Sequence, residues 1–180
     1  MLKSLEGLTD IIRINESMNF TSTDLETIKM PYLVKVGDTA TFSSNEFLKS
    51  IDINNLEKFP VELEIIRNSI LEEINIRSSE LDLSLDGVTI IDNPNLRKND
   101  FTEKITNALN IRIENTPINS VMFPKLEYSE KIELKEILED KGDAVIFPKL
   151  KEAGDMTLVY LDPQVFPILE RINNDLEIYG

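Results

Sequence analysis

The chain has 180 residues, with 33 Asp and Glu against 19 Lys and Arg and a formal charge of −14. Cysteine, histidine and tryptophan are all absent. Disulfides, thiolate chemistry, Ser-His or Cys-His nucleophile pairs and histidine- or cysteine-ligated metals are therefore excluded. A surface this acidic repels nucleic-acid phosphates and anionic lipid headgroups, so direct nucleic-acid or membrane binding is disfavoured.

A 41% hydrophobic and 29% charged composition is that of a globular protein. The length suits a single domain over residues 1–180, with a possible sub-division near 93–99. No apolar run approaches the roughly 20 residues that span a bilayer. Residues 1–8 lack the basic start and apolar core of a signal peptide. The expected location is the cytoplasm or the interior of an assembly.

In chain order, Leu2, Leu5, Leu8, Ile11 and Ile12 are spaced like the buried stripe of a short helix. Pro31 opens a ribbon over residues 32–42, in which Tyr32, Val34 and Val36 alternate with Leu33 and Lys35. Gly37-Asp38 fits a type II′ hairpin turn there. Ser43 and Glu46 have capping-box spacing and predict a helix containing Phe47, Leu48 and Ile51. The longest predicted helix covers residues 57–77, with Pro60 in its first turn and Leu63, Ile66, Ile70 and Ile74 at 3-4-4 spacing. It leads into residues 80–92, where Leu81, Leu83 and Leu85 alternate with polar residues and Asp86-Gly87 offers a two-residue hairpin turn. Asp100 and Glu103 predict another capped helix, carrying Phe101, Ile105, Ala108 and Leu109; a short strand follows at residues 111–113. Val121-Met122-Phe123-Pro124-Lys125-Leu126 recurs 24 residues later as Val145-Ile146-Phe147-Pro148-Lys149-Leu150, with a helix predicted between the copies over residues 129–140. Two copies fall short of the three or so that a solenoid needs, and coincidence of strand-exit chemistry is the simpler reading. Residues 156–161 read as a strand, and Asp162-Pro163 enters a final helix over Val165, Phe166, Leu169, Ile172 and Leu176.

The fold expected from these elements is α+β: antiparallel hairpins packed with several short amphipathic helices. Candidate chemistry is thin. Asp82 to Gly87 opens like a calcium loop, but Asn93 stands where a bidentate Glu is required. Asp92, Asp100 and Glu103, or Asp155 and Asp162, are carboxylates that could hold Mg²⁺ through oxygen. No glycine-rich phosphate loop is present. No catalytic, cofactor-binding or metal residue is assigned, no cofactor is expected, and the chain reads as a non-enzyme. Phe20, Tyr32, Phe59 and Tyr128, aromatics in segments read as loops, are the candidate protein contacts. The expectation is a structural or protein-interaction component, forming homo- or hetero-oligomers in a larger assembly such as a virion or secretion-type particle. The alternative is an acidic inhibitor whose carboxylates, projected along two helices, imitate phosphates and block a basic nucleic-acid-binding protein.

Overall fold

A computed structural model describes residues 2–117, 122–137, 146–159 and 166–180. Every paired strand in it runs parallel to its neighbour. β1 (Arg13–Ile14) pairs with β4 (Lys35–Val36). A four-stranded sheet contains β3 (Thr27–Lys29), β6 (Ser50–Leu56), β8 (Glu73–Ser78) and β10 (Lys98–Asn99). A nine-stranded sheet begins with β2 (Met18–Thr21), β5 (Thr39–Ser43), β7 (Glu62–Ile66) and β9 (Leu83–Ile91). It continues through β11 (Ile105–Glu114), β12 (Tyr128–Lys135) and β13 (Glu152–Val159). It ends in β14 (Arg171–Ile172) and β15 (Leu176–Tyr179), both paired to β13.

Partners lie one coil apart: 22 residues at Met18–Ala40, 25 at Glu62–Gly87 and 19 at Glu152–Arg171. Parallel pairing at that spacing, without helical crossovers, is a β-solenoid. Among the described residues the only helical element is a three-residue 3₁₀ turn, Thr102–Lys104.

The α+β expectation is thereby overturned, and so are its antiparallel hairpins and helices. Gly37-Asp38 and Asp86-Gly87 are not hairpin turns. Asp38, Val61 and Asp86 stack at one bend, where Val61 N–H donates to the Asp38 carbonyl (3.0 Å) and Asp86 N–H to that of Val61 (2.7 Å). The chain bends there into the long sheet and continues in the same sense. The predicted helix over 57–77 is β7, a tight turn at 68–71 and β8. Residues 43–51 are the end of β5, a turn and the start of β6, and residues 100–109 are the 3₁₀ turn and the start of β11. Residues 2–14 form turns ending in β1, and the predicted helix over 129–140 is β12 as far as Lys135. Residues 138–140, Val121, Val145, Asp162, Pro163 and Val165 lie outside the described residues.

The interior is built from columns, each coil adding one residue. One runs Met18, Ala40, Leu63, Val88, Ile111, Ile132, Met156, Leu176. Beside it run Phe20, Phe42, Ile65, Ile90, Ile113, Leu134, Leu158, Ile178. β-Branched and aromatic side chains suit a pleated, fully buried surface, and they pack on themselves from coil to coil. All members of both columns are buried except the last of each.

The corner after the long sheet repeats as strictly. Ser22, Ser44, Arg67, Asp92, Asn115 and Glu136 all adopt positive φ, between 46° and 56°. Each donates its N–H to the strand-end carbonyl of the next coil, as Arg67 does to Ile91 (2.8 Å) and Asp92 to Glu114 (3.0 Å). A left-handed residue is tolerated at every coil because it turns the chain while keeping that bond. The residue after it points inward. In three coils it is a fully buried asparagine, Asn45, Asn68 or Asn93.

Candidate interaction site

Two kinds of surface are available: the flanks of the coils and the outer strands of the sheets. On the flanks, side chains pair with those one coil away. Lys49 reaches Glu26 (2.8 Å), Lys98 reaches Glu73 (2.6 Å), Arg77 reaches Asp100 (2.8 Å) and Arg171 reaches Glu152 (2.6 Å). Thr41 donates to Glu64 (2.9 Å), Asn75 to Asp52 (2.9 Å) and Asn115 to Asp92 (2.9 Å).

On the long sheet Glu133 accepts from Lys135 (2.8 Å) and pairs with Arg112 (3.3 Å), which also reaches Glu114 (3.2 Å). The Lys135 ammonium, then the charges of Arg112 and Lys131, hold the Glu133 carboxyl below its ordinary value, against a partial burial that acts the other way. The described carboxylates expected on two acidic helices lie instead on strands and turns, several of them in rungs with cations. Among the described residues no three acidic side chains converge in a metal-binding arrangement. Asp82 bonds Lys125 (3.3 Å), Asp92 lies beside Arg67 (3.6 Å), and Asp100 is taken by Arg77.

The four aromatic candidates separate into two pairs. Phe20 stacks on Phe42 (5.9 Å, 6° between planes), and Phe59 packs against Phe101 (5.9 Å). Both are buried in the solenoid core. Tyr32 is 60% exposed on the turn before β4, and Tyr128 is partly exposed where β12 begins. Nothing in the structure brings these two together.

The outer strands carry the features that sequence reasoning missed. Among the described residues β15 pairs with β13 on one edge only, and its core-register side chains are exposed. Leu176 is 51% exposed beside Met156 at 1%, and Ile178 is 64% exposed beside Leu158 at 9%. At the opposite edge of the same sheet, β2 pairs, among the described residues, only with β5. The alternation in Leu176-Glu177-Ile178-Tyr179 was the available signal, concealed by its reading as the tail of a helix. Beside β3 an open groove of about 940 Å³ is lined by Leu5, Thr27, Lys29 and Phe47, among others.

The class these features define is a parallel β-solenoid with laddered flanks and an apolar outer strand. Comparison of the chain with protein-family models, with curated proteins and with solved structures finds no match. Among the described residues, no helix is long and apolar enough to cross a membrane.

Proposed function

We propose that this protein is a non-catalytic structural or protein-interaction component that works as a subunit of a larger assembly. One observation carries the reading: Leu176 and Ile178 occupy buried-core columns yet lie exposed on β15, whose outer edge is unpaired among the described residues. An edge of that kind is a template for another strand, which natural sheets usually blunt with charge, proline or a covering loop. Exposed apolar side chains in register with a core mark a surface that associates. The flanks support the same role, because their ladders stiffen a regular scaffold.

The test is the mass of the purified chain by sedimentation velocity across concentration, alone and with proteins of its source. Association that survives high salt and is lost in Ile178→Lys is the expected result. A chain that stays monomeric and binds no protein in any condition overturns the proposal.

A further inference from the structure

We propose that a recess beside the bulge in β6 binds a small carboxylic acid that also carries hydroxyl groups, of the size and chemistry of a uronic acid. β6 and β8 pair Ile53 with Ile76 and next Leu56 with Ser78, so β6 holds one residue more than its partner between those pairs. The extra residue leaves Asn54 and Asn55 both exposed, where a regular strand would turn one of them inward. Beside them lies a recess of about 340 Å³, with Arg77, Ser79 and Lys104 among its walls. Three successive coils contribute to it, through β6, the end of β8 and the 3₁₀ turn before β11. That volume is at the small end of ligand-binding clefts and suits one molecule the size of a monosaccharide.

The internal hydrogen bonds decide what the walls still offer. The Lys104 ammonium donates to two neutral acceptors, the carbonyls of Ser78 (2.6 Å) and Glu80 (3.3 Å), and forms no ion pair among the described residues. An ammonium has three donors, so one is left. Arg77 spends Nε (3.3 Å) and Nη2 (2.8 Å) on Asp100 and keeps Nη1, and the exposed Ser79 hydroxyl has no partner among the described residues. On the acceptor side, Asn54 gives its amide nitrogen to Asp52 (3.2 Å) and Asn55 gives its own to the Pro31 carbonyl, which leaves each amide oxygen free to accept. A simple anion would answer Lys104 and leave the two amide oxygens without a donor. A neutral polyol would do the reverse. A carboxylate on a hydroxylated frame answers both, with its charge on Lys104, Arg77 Nη1 and Ser79 and its hydroxyls on Asn54 and Asn55. Glu57 also lines the recess, its carboxylate 4.0 Å from Arg13. Its negative charge favours a single carboxylate over a doubly charged phosphate.

The test is calorimetric titration of the full chain at neutral pH with sodium glucuronate, glucose, acetate and inorganic phosphate as separate ligands. Glucuronate should saturate one site per chain, about tenfold or more tighter than any of the other three. Ser79→Ala, which gives up no bond within the fold, should weaken glucuronate roughly three- to tenfold, and Lys104→Met about tenfold or more. Asn54→Ala should weaken glucuronate and leave acetate unchanged, because that amide meets only a hydroxyl. Circular dichroism of each variant checks that the fold is kept. No saturable binding of glucuronate overturns the proposal, as does equal or tighter binding of glucose, acetate or phosphate. Glucuronate affinity that Ser79→Ala and Asn54→Ala both leave unchanged overturns it too, since the acid would then be held elsewhere.

Discussion

Asn45 and Asn68 are joined twice across adjacent coils. The Asn68 Oδ1 accepts both the Asn45 backbone N–H (3.2 Å) and its side-chain amide (3.1 Å). Asn68 in turn donates to the Phe42 carbonyl (3.0 Å), and its own N–H donates to the Asn93 Oδ1 (3.3 Å). Thr23 N–H closes the series on the Asn45 Oδ1 (2.9 Å). All three asparagines are fully buried, so the ladder satisfies backbone groups that the corner of each coil would otherwise orphan. Asn68→Ala is expected to cost about 2–4 kcal/mol, because the Asn45 N–H and the Phe42 carbonyl lose buried partners. Asn68→Asp should cost more, since a buried carboxylate accepts but cannot donate. Urea unfolding measures both; a loss below about 0.5 kcal/mol for Asn68→Ala would show that the ladder is not holding the corner.

The glycines separate by what lies beside them. A Cβ on Gly154 would collide with the Glu130 backbone carbonyl, and one on Gly37 with the Asn15 carbonyl. Backbone cannot swing aside. Gly154→Ala should therefore cost on the order of 3 kcal/mol. Gly87 looks like a turn glycine in sequence, yet it lies within β9, and a Cβ there meets only the flexible Glu62 side chain, at 2.9 Å from Oε1. Gly87→Ala should change stability by less than about 1 kcal/mol. The reverse order of the two melting temperatures would contradict the stacking of the bend.

The repeat was visible in the sequence, but its meaning was not. Phe123-Pro124-Lys125-Leu126 and its copy at 147–150 are one corner seen in successive coils: Phe123 stacks on Phe147 at 5.3 Å, and Phe147 on Phe166 at 5.2 Å. Phe166-Pro167-Ile168-Leu169 is a third copy with Ile in place of Lys. Asn45, Asn68 and Asn93, each followed three residues later by a buried leucine, mark the earlier coils. Two things concealed the period. Coil lengths drift between 19 and 25 residues, so no fixed offset aligns more than a few coils. A strand, a tight turn and a second strand also set apolar residues at helix-like intervals, as Leu63, Ile66, Ile70 and Ile74 do. The exposed edge at Leu176 and Ile178 was illegible for a different reason. Its significance lies in what covers the same columns in every other coil, and that is a property of stacking rather than of local pattern.

The turn at 68–71 also decides which of two neighbouring residues fills the core. A helix over 57–77 would bury Ile70, whereas in the solenoid Ile70 sits half-buried on the turn and Leu71 fills the core. The Leu71 N–H closes the turn on the Asn68 carbonyl (3.1 Å). Leu71→Ala should cost about 2–5 kcal/mol by leaving a cavity, and Ile70→Ala should cost about 1 kcal/mol. Equal losses, or a larger one at Ile70, would favour the helical phase over the turn.

Glu133 supplies a test that depends on pH. Its carboxyl lies below its ordinary value of 4.5 in the folded chain, first because Lys135 donates to it and then because of the nearby cations Arg112 and Lys131. A group whose pKa is depressed by folding contributes stability above its unfolded pKa, and loses it as pH falls through the folded one. Glu133→Gln keeps the shape and removes the charge. At neutral pH the variant should be less stable than the parent by about 1 kcal/mol, the scale of a partly exposed ion pair. That deficit should hold down to about 4.5 and shrink below it, because the parent's carboxylate becomes protonated and its advantage disappears. High salt at neutral pH should shrink the deficit in the same way by screening the Arg112 and Lys135 contacts. Denaturant midpoints of the two proteins, compared across pH and salt, measure this directly. A deficit that is the same above and below 4.5 would mean that Glu133 acts through its packing on the sheet and that its charge contributes nothing there.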